Sequence, residues 1–524
     1  MGGSRNRRSR RAWDRCGKFV TIVSQNPCDG WKIRYSSDFC GHYILRLQIM
    51  ASFDKVFDGS GEKNIDLKIF VSDSIDAAFE RISEILGVPL LKIVKSGGFD
   101  GEAEIRAVGV CDRILLRDSD GNETILDGNT EKIKLDKFGF YTATPYSGET
   151  EGLNAVLWCG KDAKMPFDKC TDTINKPYHA DDNLCEGGCF LWSMLCNMRI
   201  GGHRKYDSIA KYELSEIMGE KGVQIPRKTI VPYQTEFAPY HICKSVRIQE
   251  QIFGVSILLE AYKTYGDKKY LDFAQKALDE LLDNYFMAGK IYNDEDYTTV
   301  CAPVIPIVDM ANFTQKERYK KAAVAIAEYL LKRGINFPTE GTESNNKRDF
   351  EDGSISCTAL SVLYVCANMH YDERYIKFAK EILDLHKAWT IYTPDAKMYG
   401  SSFRWWETIW EGDDEGPAIC AGHAWTIWKA EALYWYGMLT GDKDALLMSQ
   451  NGFVTNFAKA NKNDEMYSCF EVDYIRGGGH ENIKKDVKQL ADGSFVDGFK
   501  IAHAYPIHTD SSLSRYAWVR YVYT

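Results

Sequence analysis

Between Arg404 and Thr426 the chain places Arg404, Trp405, Trp406, Glu407, Trp410, Glu411, Asp413, Asp414 and Glu415 ahead of His423 and Trp425, just before a long apolar stretch. Indole faces stack on the apolar faces of sugar rings, and a pair of carboxyl groups is what glycosidic bond cleavage requires. The four carboxylates between Glu411 and Glu415 repel one another. If they converge in a dry cleft, at least one keeps its proton at neutral pH, as a general acid must. If they fan into solvent, they do nothing. Gly412 and Gly416-Pro417 imply a tight loop, which favours convergence. Hard oxygen ligands also suit Ca²⁺, but the alternating Asp/Asn spacing of a helix-loop-helix calcium site is missing. Arg404, Arg348, Arg247 and His423 offer cations for a carboxylated sugar, whereas a neutral hexose needs none.

Comparable clusters precede the other apolar stretches: His179, Asp181, Asp182 and Glu186; Tyr233, Glu236, Tyr240 and His241; Asp294, Glu295, Asp296 and Tyr297; Arg348, Asp349 and Asp352; His503, Tyr505, His508 and Asp510. Each has a plain alternative, because Asp and Asn before a helix act as caps worth ~1 kcal/mol and acidic residues in a first turn complement the helix dipole. Asp182, Asp352 and Asp510 read equally well that way. Capping does not call for neighbouring Trp, Tyr and His, so the clusters taken together point to a binding mouth. The candidate catalytic residues are Glu411, Asp294, Glu295 and Asp182. The candidate substrate-binding residues are Arg404, Trp405, Trp406, Trp410, His423, Trp425, Tyr297, Arg348, His241 and Glu236. Trp428 and Trp435, farther along the apolar stretch, read as core.

Elements must exist to carry these clusters. From about Lys18 to Tyr146 the pattern has period two: 103–110 alternates, 113–116 is a short apolar strand, and Asp120-Gly121 is a hairpin turn before 124–126. One helix, Ile75 to Leu86, interrupts with Ala78, Phe79, Ile82 and Ile85 on one face. Beyond about 167 the period becomes 3.6, with helices expected near 184–200, 206–218, 243–265, 269–286, 299–312, 316–332, 354–369, 373–387, 418–438 and 443–459. Nearly all-apolar helices alternate with amphipathic ones, as buried inner and half-exposed outer helices must. Short joints recur at Gly202, Gly266, Gln315, Tyr371 and Gly441, each closing an apolar helix and opening a polar one. Ser511 to Tyr523 reads as a sixth apolar helix. The expected organisation is a basic leader (1–17) that is disordered, a β-sandwich-like domain (18–166) and an all-α barrel of inner and outer helices (167–524). A plain helical repeat array is the simpler alternative.

Composition narrows the function. A net charge of −9 offers no sustained basic face, which argues against nucleic acid as a partner. No run approaches the ~20 apolar residues of a membrane span. The 15 cysteines scatter through expected helix interiors such as Cys196 and Cys366, which suits buried reduced thiols. Cys185 and Cys189 lie four apart, and Cys16, Cys28 and Cys40 lie near the start, but no further close ligand completes a zinc site, so no metal is expected. The Arg-rich leader lacks an apolar core, so a cytoplasmic location is expected, or a periplasmic one if the true start lies elsewhere. A homodimer through the outer helices or the β-domain stays open.

The alternation of inner and outer helices over roughly 170 to 524 resembles the (α/α)6 toroid of six-hairpin glycosidases and related polysaccharide lyases. Within that group, the Arg404-Trp405-Trp406-Glu407 to Gly422-His423-Ala424-Trp425-Thr426 stretch and Asp294-Glu295-Asp296-Tyr297 resemble the β-glucuronidase type, glycoside hydrolase family 154. The resemblance implies hydrolysis of a terminal glucuronic acid from an oligosaccharide, with no organic cofactor, and chemistry in long loops gathered at one mouth. No catalytic role is transferred from it. An unsaturated glucuronyl hydrolase, a uronate lyase using Tyr240, His241 or His423, and a non-enzymatic glycan-binding protein are the alternatives.

Overall fold

Alternating apolar residues form strands in the first third of the chain, with one helix packed on them. The computed structural model describes residues 19–24, 30–37, 43–50, 67–161, 188–218, 248–285, 304–334, 352–387, 390–401, 420–421, 426–457 and 470–471. The expected leader, 1–17, lies outside the described residues. Two compact units divide the chain, Met1–Ile33 with Leu45–Lys161, and Arg34–Ile44 with Asp162–Thr524.

In the strand-rich region β1 (Phe19–Ser24) pairs antiparallel with β4 (Leu67–Ser72), and β2 (Gly30–Ser37) pairs with β3 (Tyr43–Met50). Nine strands follow: β5 (Leu90–Lys95), β6 (Gly97–Gly98), β7 (Glu102–Val108), β8 (Arg113–Arg117), β9 (Glu123–Asp127), β10 (Lys132–Lys134), β11 (Gly139–Ser147), β12 (Thr150–Glu151) and β13 (Ala155–Cys159). They form a sheet of order β10-β7-β5 and a second of order β6-β13-β11-β8-β9, with β12 paired to β11. The period-two reading holds at the level of burial: Ala103 and Ile105 in β7, Ile114 and Leu116 in β8, and Tyr141 and Ala143 in β11 point inward. β5 contacts β11 and β13, so the two sheets touch, and the sandwich-like expectation is met only to that extent. Helix α1 (Ile75–Leu86) packs Phe79 against Leu90 and Val108, with Ile75 and Ile82 alongside, on the face the sequence indicates. Ser74 caps it by accepting from the Ala77 N–H at 3.1 Å.

One boundary needs correction. The alternation continues to Val110, but the strand stops at Val108 and Val110 is exposed. Gly109 turns the chain with φ +82°, and any Cβ there would lie 2.4 Å from the Ser83 hydroxyl.

The helical unit contains five described hairpins. Its inner helices are α2 (Gly188–Gly201), α4 (Ile248–Tyr265), α6 (Val304–Thr314), α8 (Asp352–Asn368) and α10 (Thr426–Thr440). The outer partners are α3 (Asp207–Ile217), α5 (Lys268–Tyr285), α7 (Glu317–Arg333), α9 (Glu373–His386) and α11 (Lys443–Phe457). Each inner helix packs on its own outer helix and on the inner helix of the next hairpin. Burial follows the sequence logic: residues 357–366 of α8 are buried without interruption, whereas α9 buries only Tyr375, Phe378, Ala379, Ile382, Leu383 and His386. The thiols of Cys196 and Cys366 are free and buried in inner helices. Residues 511–523, the expected sixth inner helix, lie outside the described residues.

The short joints repeat a device. Gly202, Gly266 and Gly441 take positive φ after the inner helix, and Gln315 does the same at φ 57° in the third joint. Four outer helices bury a tyrosine at their start: Tyr206, Tyr270, Tyr319 and Tyr375. Tyr319 donates to Asp279 at 2.6 Å and Tyr375 to Glu328 at 2.9 Å, each carboxylate belonging to the preceding outer helix. Burial and the neighbouring carboxylate both push these phenols up.

Candidate functional site

The order of the hairpins decides which end of the helical layer carries the long connections. The last turn of α4 meets the last turn of α6, where the Tyr262 and Phe313 rings lie 5.5 Å apart edge to face. It also reaches the joint after α2, with Arg204 over the Tyr265 ring at 5.3 Å. In α8 and α10, Tyr364 and Trp435 of the C-terminal halves are edge to face at 5.6 Å. The inner helices therefore run parallel, with their C-termini at the end of the short joints and their N-termini, at 188, 248, 304, 352 and 426, at the other.

Every candidate residue lies in a segment that enters one of those N-termini, and none lies in a short joint. Asp182 precedes α2; Glu236 and His241 precede α4; Asp294, Glu295 and Tyr297 precede α6; Arg348 precedes α8. Arg404, Trp405, Trp406, Trp410, Glu411, His423 and Trp425 fall between Ser401 and α10. All of these residues lie outside the described residues. The described elements thus bring together the ends of the segments that carry them.

Two described features lie within or beside the Arg404 to Trp425 stretch. The first is a strand pair, β14 (Cys420–Ala421) with β15 (Phe470–Glu471), which ties the approach to α10 to the chain beyond α11. It corrects the helix expected from 418: Cys420 and Ala421 are extended, and α10 begins at Thr426.

The second is the compact turn 390–401. The Ile391 N–H donates to the Ser401 carbonyl at 2.8 Å and the Gly400 N–H to the Ile391 carbonyl at 2.9 Å, closing the turn on itself. Gly400 takes φ +86°, with any Cβ there 3.1 Å from Asn451 Cβ. Thr455 of α11 donates to the Tyr399 carbonyl at 3.0 Å. Inside the turn, the carboxylate of Asp395 accepts the Lys397 N–H at 2.8 Å, and burial pushes its carboxyl up. Burial likewise raises the Tyr392 phenol. The ammonium of Lys429, from the start of α10, reaches into the turn and donates to Thr390 Oγ1 at 3.0 Å. A lone lysine in Trp425-Thr426-Ile427-Trp428-Lys429-Ala430 was the sequence signal for this contact, and nothing in the aromatic and carboxylate pattern drew attention to it.

Trp428 is core, as expected. Trp435 is only half-buried, edge-on to Tyr364 and Tyr434, with its indole N–H donating to the buried Glu431 at 3.5 Å. At the joint end a polar belt links the first four inner helices: Arg199 donates to Glu260 at 2.5 Å, Lys263 lies between Glu260 and Asp309, and Tyr364 donates to Asp309 at 2.7 Å, while the Tyr364 ring meets Trp435 of the fifth edge to face. Among the described residues, no group of three or more His, Cys, Asp and Glu is arranged to hold a metal, and no helix is long and apolar enough to cross a membrane.

No protein-family model matches the chain, and no curated protein matches it by sequence. Solved structures do. A polysaccharide lyase superposes with a TM-score of 0.58 at 12% identity, covering 87% of this chain and 71% of that one. A family 76 glycoside hydrolase from a bovine Bacteroides thetaiotaomicron strain gives 0.43 at 10% identity, over 83% and 99% of the two chains. A variant of unsaturated glucuronyl hydrolase from Streptococcus agalactiae gives 0.40 at 12% identity, over 68% and 90%. The last two superpositions are too loose to carry an argument. What the first establishes is architecture: the chain shares the helical-hairpin fold of the (α/α)6 type.

Proposed function

We propose that the chain is a carbohydrate-active enzyme that hydrolyses a terminal uronic acid from an oligosaccharide, in the manner of a β-glucuronidase. The observation that carries this reading is topological. Carboxylates, indoles and cations that are far apart in the chain all sit in segments entering one end of the inner helices. In the proposed site Glu411 is the general acid, and Asp294, Glu295 or Asp182 is its partner. Arg404 or Arg348 takes the sugar carboxylate, and Trp405, Trp406 and Tyr297 form the stacking platform. Trp410, Trp425, His423, His241 and Glu236 complete the lining. No cofactor is required for this chemistry. Inversion is the default outcome, and it requires the two carboxyl groups to stand roughly 6.5–9.5 Å apart, against about 5–5.5 Å for retention.

The test uses an aryl β-glucuronide. Glu411→Gln and Asp294→Asn are each expected to lower kcat by about 10²–10⁴-fold, the usual contribution of a positioned acid or base. Near-unchanged turnover in both removes the pair. A second reading, a uronate polysaccharide lyase with Tyr240, His241 or His423 as base, draws support from the fold match to a polysaccharide lyase. New ultraviolet absorbance on an intact polyuronate, with no aryl glucuronide cleavage, selects that reading instead.

A further inference from the structure

Lys429 reaches from the first turn of α10 to both ends of the 390–401 turn. It is the fourth residue of α10, and it is 2% exposed. Burying an ammonium is strongly unfavourable, and the first turn of a helix carries the positive end of the dipole, which disfavours a cation further. What an ammonium supplies, and a methionine cannot, is a donor that grips several acceptors at once. Lys429 grips Thr390 Oγ1 at 3.0 Å and the Ser401 carbonyl at 3.4 Å. Those two residues are the entry and exit of the 390–401 turn. Ser401 is held from its own side as well, its N–H donating to the Met398 carbonyl at 2.9 Å and its hydroxyl to the same oxygen at 2.6 Å.

We propose that Lys429 is a positioning residue that locks the exit of the 390–401 turn to the first turn of α10, and so fixes the root from which Arg404, Trp405 and Trp406 depart three residues later. Its functional consequence rests on the reading of that stretch as the sugar site. Its structural consequence does not.

The experiment compares the full-length protein with Lys429→Met and Lys429→Arg by hydrogen–deuterium exchange and by steady-state kinetics on the aryl β-glucuronide. Lys429→Met is expected to speed exchange in peptides spanning 390–401 and 402–425 while leaving 352–386 unchanged. It is also expected to lower kcat by about tenfold or more with little change in KM, since small misplacements of reacting groups cost that much or more. Lys429→Arg, which keeps the charge and the donors, recovers most of both effects. Unchanged exchange across 390–425 in folded Lys429→Met overturns the proposal, as does a loss spread evenly over the helical unit. If the wild-type protein cleaves no glucuronide, the hydrolase reading fails and the exchange arm alone decides the tether. Should Lys429→Met not fold, Thr390→Val removes one acceptor of the same ammonium and is judged by the same two readouts.

Discussion

Asp395 shows how a single side chain in the 390–401 turn reports its surroundings. Its carboxyl is raised mainly by burial, with the Lys397 charge and N–H opposing that shift. An acid whose folded pKa exceeds its unfolded value of about 3.9 binds more protons folded than unfolded in the window between the two. Stability therefore falls as pH rises through that window, and the penalty persists at neutral pH. Asn keeps an acceptor for the Lys397 N–H without the charge. Asp395→Asn is accordingly expected to raise Tm at pH 7, with the gain shrinking as pH drops toward 3. A gain that is the same at both pH values would place the effect elsewhere.

Among the elements, the outer helices are held in register by their opening residues. In α7 and α9 a basic residue precedes the buried tyrosine, and Arg318 and Arg374 pair with the same carboxylates that the tyrosines meet, Asp279 and Glu328. The arginine pairs are exposed and worth little, at most about 1 kcal/mol each. The tyrosine hydroxyls are buried against a charged acceptor, a bond usually worth about 1.5–3 kcal/mol. Tyr319→Phe and Tyr375→Phe are each expected to destabilise by about 1–2 kcal/mol in denaturant titrations, and to add in the double variant, because the two pairs sit at separate joints. Arg318→Ala is expected to cost less than either. If the arginine change costs more than the tyrosine changes, the surface pairs and not the hydroxyls set the register.

Over the whole helical unit, each hairpin contacts its neighbours, so stability spreads from one to the next as in a repeat protein. The polar belt of Arg199, Glu260, Lys263, Asp309 and Tyr364 is the link with the highest electrostatic stake. Glu260 has a side chain only 2% exposed, while Arg199 and Lys263 keep about a third of theirs in solvent. Removing the carboxylate charge leaves cations that are partly solvated, so the cost falls below that of breaking a fully buried pair. Glu260→Gln is expected to destabilise by roughly 1–3 kcal/mol. The loss of exchange protection should centre on α2 and α4, the helices this side chain joins, and reach α6 through the Lys263–Asp309 pair. Loss confined to α4 would mean that the belt does not couple the hairpins.

Much of the fold was legible in the chain because periodicity is a local property. The amphipathic face of α1, the uninterrupted burial over 357–366 of α8, and the joints at Gly202, Gly266 and Gly441 each follow from side-chain size, polarity and the φ a residue tolerates. The types of candidate site residue, indoles beside carboxylates and arginines, were equally visible, and they lie in residues the structure does not describe. What only the tertiary structure decided was which distant groups meet. That Lys429 reaches Thr390 and Ser401, that Cys420–Ala421 pairs with Phe470–Glu471 instead of extending a helix, and that Arg199 finds Glu260 depend on contacts between residues 28 to 61 positions apart. Helical period and turn chemistry constrain only a few neighbouring residues, whereas such pairings are selected by the packing of whole helices against one another.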